Sequence, residues 1–264
     1  MYQKQLDRFK AWFNEYVAGF YGSDSYVNAH IKIKEDHTHR TCREILSLAD
    51  DLGLDANQAL IAETTALFHD IGRFKQFRDY LTFNDSRSVD HCLLGVQVLR
   101  EAGVLLELDD NEAELITTAV ECHGRRELPG NLNGQHLLFS KLIRDADKLD
   151  VYYTVIQNYS RYTGSPQQQR LEVEFPDLPE YSSEVVGALL TGRLIDYSKL
   201  RTLNDMKLCQ LGWVYDVNFA PTLKRIKQRG FLEKFFAKLP NTPDIDQVKS
   251  KIFNYVDDRI RRQV

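Results

Sequence analysis

Apolar side chains recur along most of the chain at steps of three and four residues, the spacing that places them on one face of an α-helix. The first such stretch covers about residues 3–20 and aligns Leu6 with Phe9. The same periodicity predicts a second helix that begins near Asp36 and ends at Gly53. The first part of the chain is therefore expected to be helical.

Residues that commonly cap helices mark the boundaries of three further helices. These helices are expected to run from Asp55 to Gly72, from Ser88 to just before Gly103, and from Asp110 or Asn111 to Gly124. Later helices are expected at about 136–153, 183–190, 203–217, 219–238 and 243–262. Residues 74–87 are interpreted as an aromatic and basic connection, and 171–175 as a small strand or hairpin edge. The overall prediction is an all-α protein.

Composition narrows the class of protein. At 264 residues the chain can bury a sizeable core. A formal net charge of −4 argues against stable nucleic-acid binding and suits a small phosphorylated ligand better. The four cysteines are widely spaced, so neither a disulfide framework nor a zinc ribbon is expected. No apolar run is long enough to span a membrane or to form a signal core, so the expected location is cytoplasmic.

Histidine and aspartate side chains lie at or near the ends of several predicted helices. The adjacent pair His69-Asp70 follows an apolar run, and neighbouring residues on a helix point about 100° apart. The two can therefore share a metal only where their helix ends. The full set of ligand-type residues is His37, His69, Asp70, His91, His123 and Asp147. Six such side chains from five helices could converge on one metal site.

The chemistry of this set limits the metal. Imidazoles with carboxylates and no thiolate suit Fe, Mn, Zn, Co or Ni rather than copper or an iron–sulfur cluster. Asp70 has two oxygen atoms and could bridge two ions. Two ions about 3.5–4 Å apart can generate a hydroxide at neutral pH and hold a phosphoryl group for in-line displacement. The same pair of ions could instead activate dioxygen.

Three motifs together resemble the HD-domain superfamily of metal-dependent phosphohydrolases, whose ligands follow the order H…HD…D, with two more histidines in dinuclear members. The motifs are His37-Thr38-His39-Arg40-Thr41, His69-Asp70-Ile71-Gly72-Arg73 and Arg144-Asp145-Ala146-Asp147-Lys148-Leu149-Asp150. His91 and His123 are the additional pair. The resemblance implies an HD-type helical bundle as one domain over residues 1–264, with a metal-site core at about 30–155 and a helical C-terminal extension at about 180–264.

The resemblance also implies roles for particular residues. The implied ligands of two divalent ions, Fe or Mn before Zn, Co, Ni or Mg, are His37, His69, Asp70, His91, His123 and Asp147. Asp70 would bridge the ions, while Arg73 and Lys148 would stabilise charge on the phosphoryl oxygens. The implied reaction is hydrolysis of a small phosphomonoester or phosphodiester, nucleotide-like, by a metal-bound hydroxide. A homodimer is left open.

Two departures from the family pattern bear on the substrate. Arg73 stands where many relatives have lysine, and it can donate two parallel hydrogen bonds to a phosphate. The segment Glu121-Cys122-His123-Gly124-Arg125 replaces the paired histidines and the GYP loop of the cyclic-di-nucleotide phosphodiesterase branch. That substrate is therefore not expected.

Several alternatives remain at this stage. His39 competes with His37 as the first ligand, and a mononuclear site results if His91 and His123 are ordinary helix-end histidines. Asp145 and Asp150 are interpreted as capping or supporting carboxylates. At the level of function, the alternatives are a mixed-valent di-iron oxygenase of the same superfamily and a nucleotide-binding sensor without turnover.

Overall fold

The structure, a computed structural model, describes residues 1–161 and 175–262. These residues form α-helices and short 3-10 turns joined by loops, with no β-strand among them. The all-α prediction is confirmed. The first helices are α1 (Gln3–Ala18), α2 (Ser25–Asp51), α3 (Ala56–Phe68), α4 (Ile71–Tyr80), α5 (His91–Ala102), α6 (Asp110–Cys122) and α7 (Gly134–Arg161). The remaining helices are α8 (Ser183–Leu190), α9 (Leu203–Gly212), α10 (Ala220–Gln228), α11 (Phe231–Phe236) and α12 (Pro243–Arg262). Residues 171–174 of the expected strand lie outside the described part of the chain.

Aspartate side chains cap the starts of the helices that carry the candidate ligands. Asp55 accepts a hydrogen bond from the backbone of Gln58, as the sequence predicts. Asp90, not Ser88, caps α5. Helix α6 begins at Asp110, as predicted, and Asp109 caps it. Ser88 instead donates its hydroxyl to the Asn84 carbonyl at 2.8 Å. Each such cap contributes about 1 kcal/mol to the stability of its helix.

The second helix begins eleven residues earlier than predicted, at Ser25 rather than near Asp36. Asp24 accepts hydrogen bonds from two backbone amides of the first turn and so fixes this start. Ile31, which is fully buried, extends the inward stripe upstream of Asp36. His37 consequently lies in the middle of α2, and the expectation that it lies on a first turn is wrong.

The segment after His69-Asp70 is another helix, and the prediction of a connection over residues 74–87 is wrong for residues 74–80, which belong to α4. Phe74 and Phe77 are buried one turn apart on α4, so the aromatic residues of this segment form a helical core face. Leu81, at φ 56°, ends α4 in the left-handed conformation. A short 3-10 turn, Asp85–Arg87, follows.

Gly72 was expected to end α3, but it lies inside α4. A Cβ atom at this position would lie 2.3 Å from the carbonyl oxygen of His91 and 2.6 Å from the amide nitrogen of Gly95. Both neighbours are backbone atoms of α5, so only glycine allows α4 and α5 to approach this closely. The contact brings the start of α5 beside the end of α3.

The described residues form two compact units, Met1–Asp150 and Val151–Val264. In the first unit, α3 packs against α1, α2 and α6, and α5 packs against α4 and α6. In the second unit, α8 packs against α9 and α12, and α10 packs against α11 and α12. Across residues 1–161 and 175–262, no helix has both the length and the apolar character needed to cross a lipid bilayer.

Two boundaries in the second unit differ from the prediction. The stretch 219–238 is two helices, because Gly230 adopts a left-handed conformation, φ 63°, between α10 and α11. The stretch 203–217 is α9 followed by a 3-10 turn, Trp213–Asp216. The helices expected at 183–190 and 243–262 have the predicted bounds.

Candidate metal centre

The structure brings all six predicted ligands together. His37 comes from the middle of α2, and Asp147 from α7. The other four residues stand at helix boundaries: His69 follows α3, Asp70 precedes α4, His91 opens α5 and His123 follows α6. His69 keeps helical dihedral angles, whereas Asp70 turns to φ −104° and ψ 16°. This break between two helices lets adjacent side chains face one site.

One half of the centre surrounds oxygen Oδ2 of Asp70. Nε2 of His37 lies 3.1 Å from Nε2 of His69, 3.5 Å from Oδ2 of Asp70 and 3.2 Å from Oδ1 of Asp147. Nε2 of His69 lies 3.6 Å from the same Asp70 oxygen and 3.9 Å from Oδ1 of Asp147. Two ligands of one ion with bonds of about 2.1 Å lie about 3.0–3.5 Å apart. The three distances from His37 fall in this range, and the two from His69 to the carboxylates are slightly longer.

The other half surrounds oxygen Oδ1 of Asp70. Nε2 of His91 lies 3.1 Å from Nε2 of His123 and 3.5 Å from Oδ1 of Asp70. Nε2 of His123 lies 3.7 Å from that oxygen. Asp70 therefore presents one carboxylate oxygen to each imidazole pair.

Backbone carbonyls fix the orientation of two of the rings. Nδ1 of His69 donates to the carbonyl of Ala66, and Nδ1 of His123 donates to the carbonyl of Val120, each at 2.7 Å. A carbonyl oxygen only accepts, so Nδ1 carries the ring proton in the neutral form of each ring. Nε2 is left with its lone pair directed at the candidate centre.

A carboxylate supports His37 in the same way. Nδ1 of His37 lies 2.7 Å from Oδ2 of Asp150, which is buried. Arg40 holds Asp150 in turn, with Nε 2.5 Å from Oδ1 and Nη2 3.0 Å from Oδ2. The arrangement matches the expected supporting role of Asp150, and such carboxylate partners raise the basicity of a ligand imidazole.

His91 has a matching carboxylate partner that the sequence analysis missed. Nδ1 of His91 lies 2.6 Å from Oδ2 of Asp85, whose other oxygen accepts from Nη1 of Arg73 at 2.7 Å and from Nε2 of Gln76 at 2.8 Å. Arg73 also donates to the carbonyl of Phe83 at 2.5 Å. Its Nε lies 3.5 Å from Oδ1 of Asp70. The guanidinium group thus links Asp70 to the support of His91.

Charge in the centre is strongly coupled. Burial opposes the ionised form of Asp70, but the positive charge of Lys34 and the hydrogen bond with His123 outweigh it and hold the pKa of the carboxyl well below its ordinary value. Burial lowers the pKa of His69 to about 3, so its ring is neutral. Burial also opposes charge on His37, yet its hydrogen bonds to Asp147 and Asp150 raise its pKa to about 9.

Two residues near the centre carried no signal in the sequence analysis. Nζ of Lys34 lies 2.7 Å from Oδ2 of Asp70. Sγ of Cys92 lies 3.4 Å from Nε2 of His91 and 3.5 Å from Nδ1 of His123, although the sequence analysis left sulfur out of the site. Burial disfavours the thiolate, but the two imidazoles lower the pKa of Cys92 to about 6. Lys34 was missed because α2 was predicted to begin near Asp36, after this residue. Cys92 was missed because a single cysteine forms no recognisable ligand spacing.

Other sequence candidates lie elsewhere. His39, the alternative first ligand, is exposed, and its ring contacts Phe13 edge to face at 5.7 Å between centroids. Nζ of Lys148 lies 3.5 Å from the carbonyl of Arg144, one turn earlier on α7. Arg144 is buried and donates to backbone carbonyls of the segment after α6, including that of His123 at 3.1 Å. Lys148 is thus on the helix of Asp147, while His39 faces away from the centre.

Residues 35–152 match the family model described as the HD domain. The chain contains an HD domain. This match agrees with the resemblance to the HD-domain superfamily of metal-dependent phosphohydrolases noted from the motifs. No curated protein and no solved structure matches the chain.

The residues of the HD domain fit the divalent ions that the superfamily binds. In each imidazole pair, two Nε2 atoms face each other at 3.1 Å. When these Nε2 atoms carry no proton, as a metal ligand requires, both atoms of a pair can offer their lone pairs to one cation. Among the described residues, three groups of side chains in this region have the spacing of a metal site: His37, His69 and Asp70; His91, Cys92 and His123; and Asp85, Asp90 and His91. Imidazole and carboxylate ligands suit manganese, iron or zinc.

Proposed function

We propose that this protein is a phosphohydrolase that uses two divalent ions to cleave a small phosphomonoester or phosphodiester, nucleotide-like in character. The ligands of this proposal are His37, His69, Asp70, His91, His123 and Asp147. The ions would be manganese or iron in preference to zinc, cobalt, nickel or magnesium.

The observation that carries the proposal is the position of Asp70, which faces Nε2 of His69 with one oxygen and Nε2 of His123 with the other. Two divalent ions held by these residues would lower the pKa of bound water and neutralise charge on the oxygens of a phosphoryl group. The HD-domain match over residues 35–152 adds support, because metal-dependent phosphohydrolases belong to that superfamily.

The remaining groups have defined tasks in this proposal. Asp150 and Asp85 orient His37 and His91 through their Nδ1 atoms. Arg73 holds Asp85 and keeps positive charge beside Asp70, which favours anionic oxygens at the centre. Lys148 would add a second positive charge, from the helix that carries Asp147.

The test is phosphorus NMR of a panel of nucleotides and simple phosphoesters incubated with the manganese-loaded protein. The expected result is a product formed by the wild type and absent with a metal-loaded Asp70→Ala variant, which controls for contaminating phosphatases. Undiminished turnover by that variant contradicts the role of Asp70. If no phosphoester in the panel is hydrolysed and the iron-loaded protein consumes oxygen, the results favour the di-iron oxygenase instead.

A further inference from the structure

Lys34 places a positive charge on the carboxylate that joins the two halves of the centre. Its Nζ donates to Oδ2 of Asp70 at 2.7 Å, and its side chain is only 18% exposed. Lys34 precedes His37 by three residues on α2, so the two side chains project from the same face of the helix. The ring of Phe83 lies against the ammonium group, with its centroid 5.3 Å from Nζ.

A metal ion and the ammonium group of Lys34 compete for the same oxygen atom. Oδ2 of Asp70 also faces Nε2 of His37 at 3.5 Å and Nε2 of His69 at 3.6 Å. An ion held by these imidazoles takes the lone pairs to which Lys34 donates, and like charges then repel. Lysine has a flexible stem with three rotatable donors, so its ammonium group can turn from the carboxylate to a nearby anion.

The arginines around the centre form ion pairs with supporting carboxylates that are not proposed metal ligands. Arg40 pairs with Asp150, and Arg73 pairs with Asp85. Those carboxylates hold imidazoles through Nδ1 and would keep their arginine partners when ions bind. Lys34 instead pairs with Asp70, the carboxylate that both ions would share. Its charge becomes available to a substrate when the centre is loaded.

We propose that Lys34 is a phosphate-binding residue and that its charge favours a dianionic terminal phosphate, as in a phosphomonoester, over the single charge of a phosphodiester. This inference rests on the proposed phosphohydrolase function. Two divalent ions outweigh the charges of Asp70 and Asp147, and Lys34 adds one more positive charge. A doubly charged anion is attracted more strongly to such a site than a singly charged one.

The test measures binding of inorganic phosphate and of dimethyl phosphate to the manganese-loaded full-length protein by calorimetry. The wild type is expected to bind phosphate more tightly than dimethyl phosphate. Lys34→Gln should weaken phosphate binding at least about tenfold, because one charge-assisted hydrogen bond is lost, and should narrow the difference between the two anions. Lys34→Arg, which keeps the charge, should retain most of the preference.

Lys32→Gln is the matched control, because Lys32 lies on the same helix, is 56% exposed and pairs with Glu35 and Asp36. It should leave both anions unaffected. Manganese affinity provides a second readout: Lys34→Gln should bind manganese at least as tightly as the wild type, since the competing ammonium group is gone. The proposal is overturned if Lys34→Gln binds phosphate like the wild type, or if it loses manganese as well. Phosphate binding that depends on Lys34 in a protein without hydrolytic activity would instead refute the proposed function alone.

Discussion

At the scale of single residues, the four imidazoles of the centre have two kinds of hydrogen-bond partner at Nδ1. His69 and His123 follow the ends of their helices, where each Nδ1 donates to the carbonyl three residues earlier. His37 and His91 instead rely on carboxylates from distant parts of the chain. Each half of the centre therefore combines one ring held by its own helix with one ring held by a tertiary contact.

The carboxylate supports can be tested separately. Asp150→Asn removes the charge beside His37, and an amide can also stabilise the wrong tautomer by presenting its NH2 group. Manganese affinity of one site should fall about 10–100-fold. Asp85→Asn, which acts on His91, is the matched variant and should weaken the other site. Stepwise titration followed by electron paramagnetic resonance of free manganese measures both. If both sites of each variant bind manganese as tightly as in the wild type, these roles of Asp150 and Asp85 are refuted.

Protonation of His37 should make metal binding depend on pH. The pKa of His37 is raised to about 9, and a metal ligand must be deprotonated, so the ion displaces a proton below that pH. Apparent manganese affinity should rise with pH up to about 9, by at most about tenfold per pH unit for this proton. His69, with a pKa lowered to about 3, adds nothing in this range. Calorimetry at several pH values measures the effect, and a flat affinity profile would contradict it.

At the scale of elements, helix existence was more predictable from the sequence than helix limits. Residues such as Asp55 and Gly103 have local capping roles, so the ends that they mark were predicted. The start of α2 was missed because Asp24 caps it upstream of the strongest apolar pattern. Ligand spacing along the chain pointed to all six side chains, whereas Asp85 and Lys34 depend on tertiary contacts that leave no periodic signal.

The close approach of α4 and α5 yields a stability prediction. Gly72→Ala would place a Cβ atom 2.3 Å from the carbonyl oxygen of His91, and backbone atoms cannot move aside without separating the helices. Unfolding by urea should show a loss of about 1–3 kcal/mol or more, together with weaker metal binding. Gly187→Ala in α8 is the control, because nothing lies within 4 Å of its added Cβ. It should be neutral or stabilising by up to about 1 kcal/mol. Equal stability of the two variants would contradict this account of Gly72.

At the scale of the whole molecule, α7 carries Asp147 in the first compact unit and continues past Asp150 into the second. The sequence contains two tryptophans, Trp12 and Trp213, one in each unit. Single Trp→Phe variants therefore report the unfolding of each unit separately by fluorescence.

Because one continuous helix belongs to both units, the two reporters should show coincident unfolding transitions. Manganese at a hundredfold excess over its Kd should stabilise the folded chain by about 2.7 kcal/mol for each site, and a chelator should reverse this. Two separate transitions, with only the Trp12 signal responding to manganese, would show that the units unfold independently and would contradict the expectation of one domain over residues 1–264.

The central claim is that two ions, joined by Asp70, hydrolyse a phosphoester. The most direct measurement adds manganese stepwise to the metal-free protein and follows both bound metal and the hydrolysis of 4-nitrophenyl phosphate. The account predicts that hydrolysis rises with the second equivalent of manganese and is absent from Asp70→Ala. A full rate at one equivalent would contradict the two-ion centre. Stoichiometric binding of both ions without any phosphate release would contradict hydrolysis of this ester.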